Sequence, residues 1–152
     1  MVASLDGFFT DEDYDVWVDV KMKDCSTAAM EEGVKHSKLF IALVTGPIVN
    51  KDRPDDDPKD NAYFKRWFCL EELRWAIQAE ILLQPMIRAE DVDRKDEFLA
   101  EAPEDIREVL RTKDWIVWNK ESFPKLLRHL PNRQHLKGLR YALCPISSLT
   151  EV

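Results

Sequence analysis

Six consecutive apolar residues, Leu39-Phe40-Ile41-Ala42-Leu43-Val44, constrain this chain more than any other stretch. The run is too short for a typical helix and far short of the roughly 20 residues that cross a bilayer. It also lacks the alternation of a strand with one wet face. What remains is a strand covered on both faces, as in the middle of a parallel sheet. Such a strand needs helices around it, and the sequence supplies them in alternation.

Before it, Asp15-Val16-Trp17-Val18-Asp19-Val20 is rich in β-branched and aromatic residues and reads as a strand ending near Lys21. Ser26 or Thr27 caps a predicted helix through Lys35, with Met30 and Val34 on one face and Glu31, Glu32 and Lys35 on the other. After it, Gly46 to Asn61 carries three prolines and the acidic run Asp55 to Asp57, the composition of an exposed loop. A broad apolar face predicts a largely buried helix from Tyr63 to Ala79. Ile81 to Ile87 reads as a buried strand, with Pro85 at its end or at a bulge. Pro103 opens a helix to Arg111, Trp115 to Trp118 is a short strand, and Ser122 to Leu130 is a last helix closed by Pro131. Strand and helix thus alternate through the chain, the pattern of an α/β fold with a parallel sheet and helices on both faces. The expected division is a remnant at 1–14, a domain at 15–131 and a tail at 132–152.

Composition narrows the function. With 152 residues there is room for one domain of ordinary size, and a net charge of -7 opposes non-specific attraction to nucleic acid or to an anionic membrane. No segment resembles a leader or a span, and Cys25, Cys69 and Cys144 are too widely spaced for a zinc site or a disulfide framework. Reduced thiols and the absence of a leader point to the cytoplasm. The aspartates at 55–57 lack the ligand spacing of a calcium loop, and His36, His129 and His135 are isolated, so no metal is expected.

Val16-Trp17-Val18-Asp19, then Met30 to Val34 leading through Ser37 into Leu39–Val44, resembles the second strand, second helix and third strand of a Toll/interleukin-1 receptor (TIR) domain. Trp67-Phe68-Cys69-Leu70-Glu71-Glu72-Leu73 resembles that family's tryptophan, cysteine, leucine, acidic, glutamate, leucine motif, with Phe68 inserted. Ile81–Ile87 matches its fourth strand, and the resemblance runs from about Asp15 to Leu130. It implies a flavodoxin-like fold that signals by self-association or by pairing with other TIR domains, with none of its chemistry requiring a cofactor. In some members it implies cleavage of NAD at the nicotinamide glycosidic bond. The essential glutamate of those members falls on Glu72. The loop that covers their cleft and mediates association falls on Lys21, Met22, Lys23, Asp24 and Cys25. A carboxylate beside the ribose stabilises the positive charge that builds as this bond breaks, as carboxylates do in glycoside hydrolysis.

The family's first strand and helix have no counterpart before Val16, because residues 1–14 are too few for a strand and a parallel crossover. The missing strand belongs between the strand at Val16 and the strand at Leu39. Three outcomes are open: Ala3 to Phe9 enters the slot, the flanking strands close up, or the chain is an inactive fragment of a longer product, the outcome expected here. Two plainer readings stand beside the functional ones. Glu71 and Glu72 form the kind of charged pair that ordinarily faces water, and Trp67 and Trp75 are assigned to packing.

Overall fold

The computed structural model describes residues 15–18, 26–47, 49, 55, 57–119 and 140–144. Its elements are β1 (Asp15–Val18), α1 (Thr27–Lys35), β2 (Leu39–Val44), α2 (Trp67–Gln78), β3 (Leu82–Arg88), α3 (Lys95–Glu101), α4 (Glu104–Arg111), β4 (Ile116–Trp118) and β5 (Arg140–Cys144). Short 3-10 turns at Pro58–Asn61, Tyr63–Lys65 and Ala89–Arg94 link them.

All five strands form one sheet in the order β1-β5-β2-β3-β4. Every neighbouring pair is parallel, with Val16 opposite Tyr141, Leu39 opposite Tyr141 and also opposite Leu82, and Met86 opposite Ile116. The protein is therefore α/β with a parallel sheet. The slot between β1 and β2 is neither closed up nor left open. It is filled by Arg140–Cys144, within the stretch expected to be a tail. Counted along the chain the sheet runs 1-5-2-3-4, compatible with the 2-1-3-4-5 of flavodoxin-like folds except that the second place is taken by the strand that comes last in the sequence.

The connections from β1 to β2, β2 to β3 and β3 to β4 all move the chain in one direction across the sheet. Right-handed crossovers then set their helices on one face. The packing agrees: Phe40, Ala42, Val44, Leu83 and Ile87 share one cluster with Val34 of α1, Leu73 and Ala76 of α2, Phe98 of α3, and Ile106 and Leu110 of α4. Leu39, Ile41, Leu43 and Met86, on the opposite pleat, are also buried but outside that cluster. All six residues of β2 are thus covered on both sides, as the apolar run requires. Each large side chain so buried contributes about 1.5–3 kcal/mol. A helix on the second face is not among the described residues, and the predicted helix at 122–130 lies outside them.

Three local expectations need correction. Pro85 is neither at a strand end nor at a bulge but fourth of the seven residues of β3, opposite Ala42. It is tolerated because β4 pairs with β3 only from Met86 onward, while Gln84 Nε2 donates to the carbonyls of Pro85 (3.0 Å) and Asp114 (2.8 Å) where a ladder would otherwise run. The helix predicted from Tyr63 is broken at Arg66, whose backbone is extended (φ -91°, ψ 110°). Tyr63 is held by its amide to Thr45 O (3.1 Å), and its ring and that of Phe64 are buried, so this turn packs under the sheet end before α2 can begin. Lys95–Glu101 is a helix that the sequence reading left unassigned.

Ser26 caps α1 by accepting from Ala29 N (3.3 Å). At the other end of α2, Glu80 N donates to Ile77 O and Ile81 N to Ala76 O, a Schellman closure that places Glu80 at φ 54°. A glycine is the usual residue there, because it has no Cβ to strain in the left-handed region.

Candidate functional site

In open parallel sheets the crevice for ligands lies beyond the carboxyl ends of the strands. Here the carboxyl ends of β2 and β3 are tied together. Arg88, last residue of β3, holds Asp91 Oδ2 through Nε (2.6 Å) and Nη2 (2.5 Å). Gly46, just past β2, donates its amide to the same oxygen at 3.4 Å. Asp91 is buried and Arg88 mostly so, hence the pair works in a low dielectric, where losing Arg88 strands the Asp91 charge; Arg88 also meets the exposed Glu90 through Nη1 at 3.4 Å. A Cβ at Gly46 would lie 2.6 Å from Phe98 Cζ, so a larger residue there requires the buried ring to shift. Arg94 lies over the Phe98 ring at 4.9 Å from its centroid and is itself held by Glu97 through two hydrogen bonds, of 3.0 and 2.7 Å. Thr45 is buried beside these groups in sequence, and its hydroxyl has no hydrogen-bond partner among the described residues. None of these residues was singled out from the sequence. The one sequence signal that could have found them is the spacing of Arg88 and Asp91, three apart after a strand.

Helix α2 leaves this end of the sheet and runs back along it. Its buried positions Cys69, Glu72, Leu73 and Ala76 follow the i, i+3, i+4, i+7 spacing of a helix face turned to a core. Glu72 is thus on the packed face, fully buried, and roughly 8 Å along the helix axis from its start. The solvated-face reading of this acidic pair holds only for Glu71, which is partly exposed and bonds Arg74 Nη1 at 2.7 Å. Arg74 Nε in turn bonds Asp105 Oδ2 at 2.9 Å and fastens α2 to α4. The shared hydrogen bond is the main cause that lowers the Asp105 carboxyl below its ordinary pKa and raises the Arg74 guanidinium above its own. Keeping a carboxylate where Glu72 lies works against several kcal/mol of desolvation, which a surface glutamate never meets.

Trp67 and Trp75 part company. Trp75 is buried, as packing requires, but Trp67 at the start of α2 is 61% exposed. Phe68 joins them edge-to-face, 5.1 Å from Trp67 and 6.0 Å from Trp75, so an aromatic row leads from core to surface. The candidate association loop, Lys21, Met22, Lys23, Asp24 and Cys25, lies outside the described residues, as do His129 and His135. His36 Nδ1 donates to Glu32 O at 2.8 Å and closes α1. Cys69 is a buried free thiol. Among the described residues, no helix is long and apolar enough to cross a membrane.

The fold and this end of the sheet define an α/β protein with a parallel sheet. Neither a family model, nor a curated protein, nor a solved structure matches the chain.

Proposed function

We propose that the chain is a TIR-type signalling module of the cytoplasm that works by associating with itself or with other TIR domains. What supports this reading is the sheet order. The segments that resemble the family's second, third and fourth strands stand as β1, β2 and β3, with a parallel strand between the first two where the family has one. The exposed Trp67 adds an aromatic anchor of the kind that dominates protein interfaces. Association through 21–25 predicts that Lys21→Glu with Lys23→Glu weakens a concentration-dependent dimer seen by sedimentation velocity. A wild-type chain that stays monomeric at millimolar concentration, and binds no member of a panel of TIR domains, would sink the reading.

A second reading, hydrolysis of NAD at the nicotinamide bond, rests on the motif resemblance at Glu72, whose fully buried carboxylate would meet a ribose only once the helix face around it opened. In it Glu72 is the carboxylate that steadies the oxocarbenium-like ribose. The slot left by the missing first strand is filled by β5. The test is nicotinamide release by the full chain and by Glu72→Gln, which keeps the shape of the buried side chain. Loss of release in a variant that melts like wild type is the expected result. A folded wild type that leaves NAD intact ends this reading.

A further inference from the structure

We infer that the slot between β1 and β2 is a strand acceptor, and that the partner it fits is a second copy of this chain donating its own Arg140–Cys144. The inference stands on sheet order alone and holds whether or not the chain signals as a TIR module.

Central strands of a parallel sheet are usually followed by a helix that crosses to the next strand, so covalent continuity holds them in place on both sides. β5 comes after every other described element of the sheet, and among the described residues β1 pairs with β5 alone. Both edges of the slot are therefore bare until a strand from far along the sequence arrives. Asp15 to Val18 await Arg140 to Leu143 on one edge, and Leu39 to Ala42 await Tyr141 to Cys144 on the other. Unpaired edges of two strands, one of them wholly apolar, are a template for any extended segment of the right register. The segment whose register is known to fit is Arg140–Cys144. The same pairings form whether that segment comes from its own chain or from another, which is the condition for exchange of an identical element between copies.

Concentration decides between the two. Residues 119–139 connect β4 at one edge of the sheet to β5 in its second place. Covalent attachment gives a chain's own strand an effective concentration that the strands of other chains must match to displace it. A dilute chain therefore fills its own slot, and chains folded together at comparable concentration, or clustered on a scaffold, fill one another's.

The register supplies the test. Val16 and Tyr141 are Cα partners on adjacent parallel strands about 4.8 Å apart, within disulfide reach. In the full chain carrying Val16→Cys and Tyr141→Cys, with Cys25, Cys69 and Cys144 each changed to Ser, refolding and oxidation report which chain donated β5. A link within one chain is expected in dilute solution. A dimer-sized band, rising as the refolding concentration rises, is expected in concentrated solution. Links within single chains at every concentration overturn the exchange. If sedimentation still shows a dimer in that case, association by another surface survives and only the exchange is lost. Absence of any link overturns the register and the inference with it.

Where that variant fails to fold, Ala142→Pro serves instead, since proline cannot donate to a ladder that runs on both sides of β5. A labelled peptide of residues 138–145 should restore the variant's cooperative melt. It should bind wild type at least about a hundredfold more weakly, because there it competes with the tethered strand. A variant that melts like wild type, or one that the peptide does not restore, refutes the acceptor slot.

Discussion

β2, β3 and β4 lie side by side in the order in which the chain makes them, whereas β1 and β5, the first strand and the last, meet only in space. The ordered half rests on close-range connections. Each of its strands follows its neighbour after one helical connection, α1 and α2 pack on it, and the Arg88–Asp91–Gly46 clamp ties its carboxyl end. The other half rests on one long closure. Chain entropy is spent to bring β5 back before any of its pairing is recovered, and β1 gains a partner only when that has happened. A sheet that looks uniform in its pairing is thus two structures of different cost that share β2.

The largest effect confined to the ordered half should come from Asp91→Ala. It leaves Arg88 charged with its buried partner gone and frees the Gly46 amide. Breaking a buried pair costs about 3–5 kcal/mol, and the partial exposure of Arg88 brings the expectation to about 2–3 kcal/mol. A urea titration followed by tryptophan fluorescence reads it. A loss within 0.5 kcal/mol of zero would show that the clamp is surface decoration and that the ordered half owes little to it.

The comparison itself can be broken by hydrogen exchange. Under native conditions the amides of β1 and β5 should open together, with a free energy at least about 1.4 kcal/mol below that of β2 and β3, a tenfold difference in exchange. Equal protection across all five strands would mean that the sheet is one cooperative unit.

The ordered half and β1 were legible in the sequence and β5 was not, for a physical reason. A continuous apolar run such as Leu39–Val44 carries its own burial pattern, so the strand and its place inside a parallel sheet are readable together. Arg140-Tyr141-Ala142-Leu143-Cys144 is five residues opening with a charge and followed by Pro145. Nothing in its local pattern says that its partners lie more than a hundred residues earlier. Helical spacing did contain the burial of Glu72, since Cys69, Glu72, Leu73 and Ala76 share a face. The pairing of like charges with Glu71 drew attention to solvent instead. Gly46, Phe98 and Asp91 meet only because two strand ends are adjacent, which no single stretch of sequence records.

Smaller effects sharpen the picture at the back of α2. Glu80 closes the helix in the left-handed region and is exposed, so Glu80→Gly removes strain and no packing. A gain of about 0.5–1 kcal/mol is expected, seen as a rise in Tm without loss of cooperativity. A fall in Tm would mean that the side chain contributes more than the backbone strain costs.

The smallest effect is a matter of pH. The hydrogen bond from Arg74 holds the Asp105 carboxyl below its ordinary pKa in the folded chain. The folded state therefore binds this proton less readily than the unfolded state. The stabilisation is complete above the unfolded value of about 3.9 and is lost as pH falls through the lower folded value. Both groups are substantially exposed, so the pair contributes only a few tenths of a kcal/mol, and less in high salt. Asp105→Asn should lower stability by that amount at neutral pH and match wild type near pH 2, as measured by urea unfolding at the two pH values. Because the pair joins α2 to α4, both on the ordered half, a deficit that persists at pH 2 would mean that Asp105 acts through the packing of α4 and not through its charge.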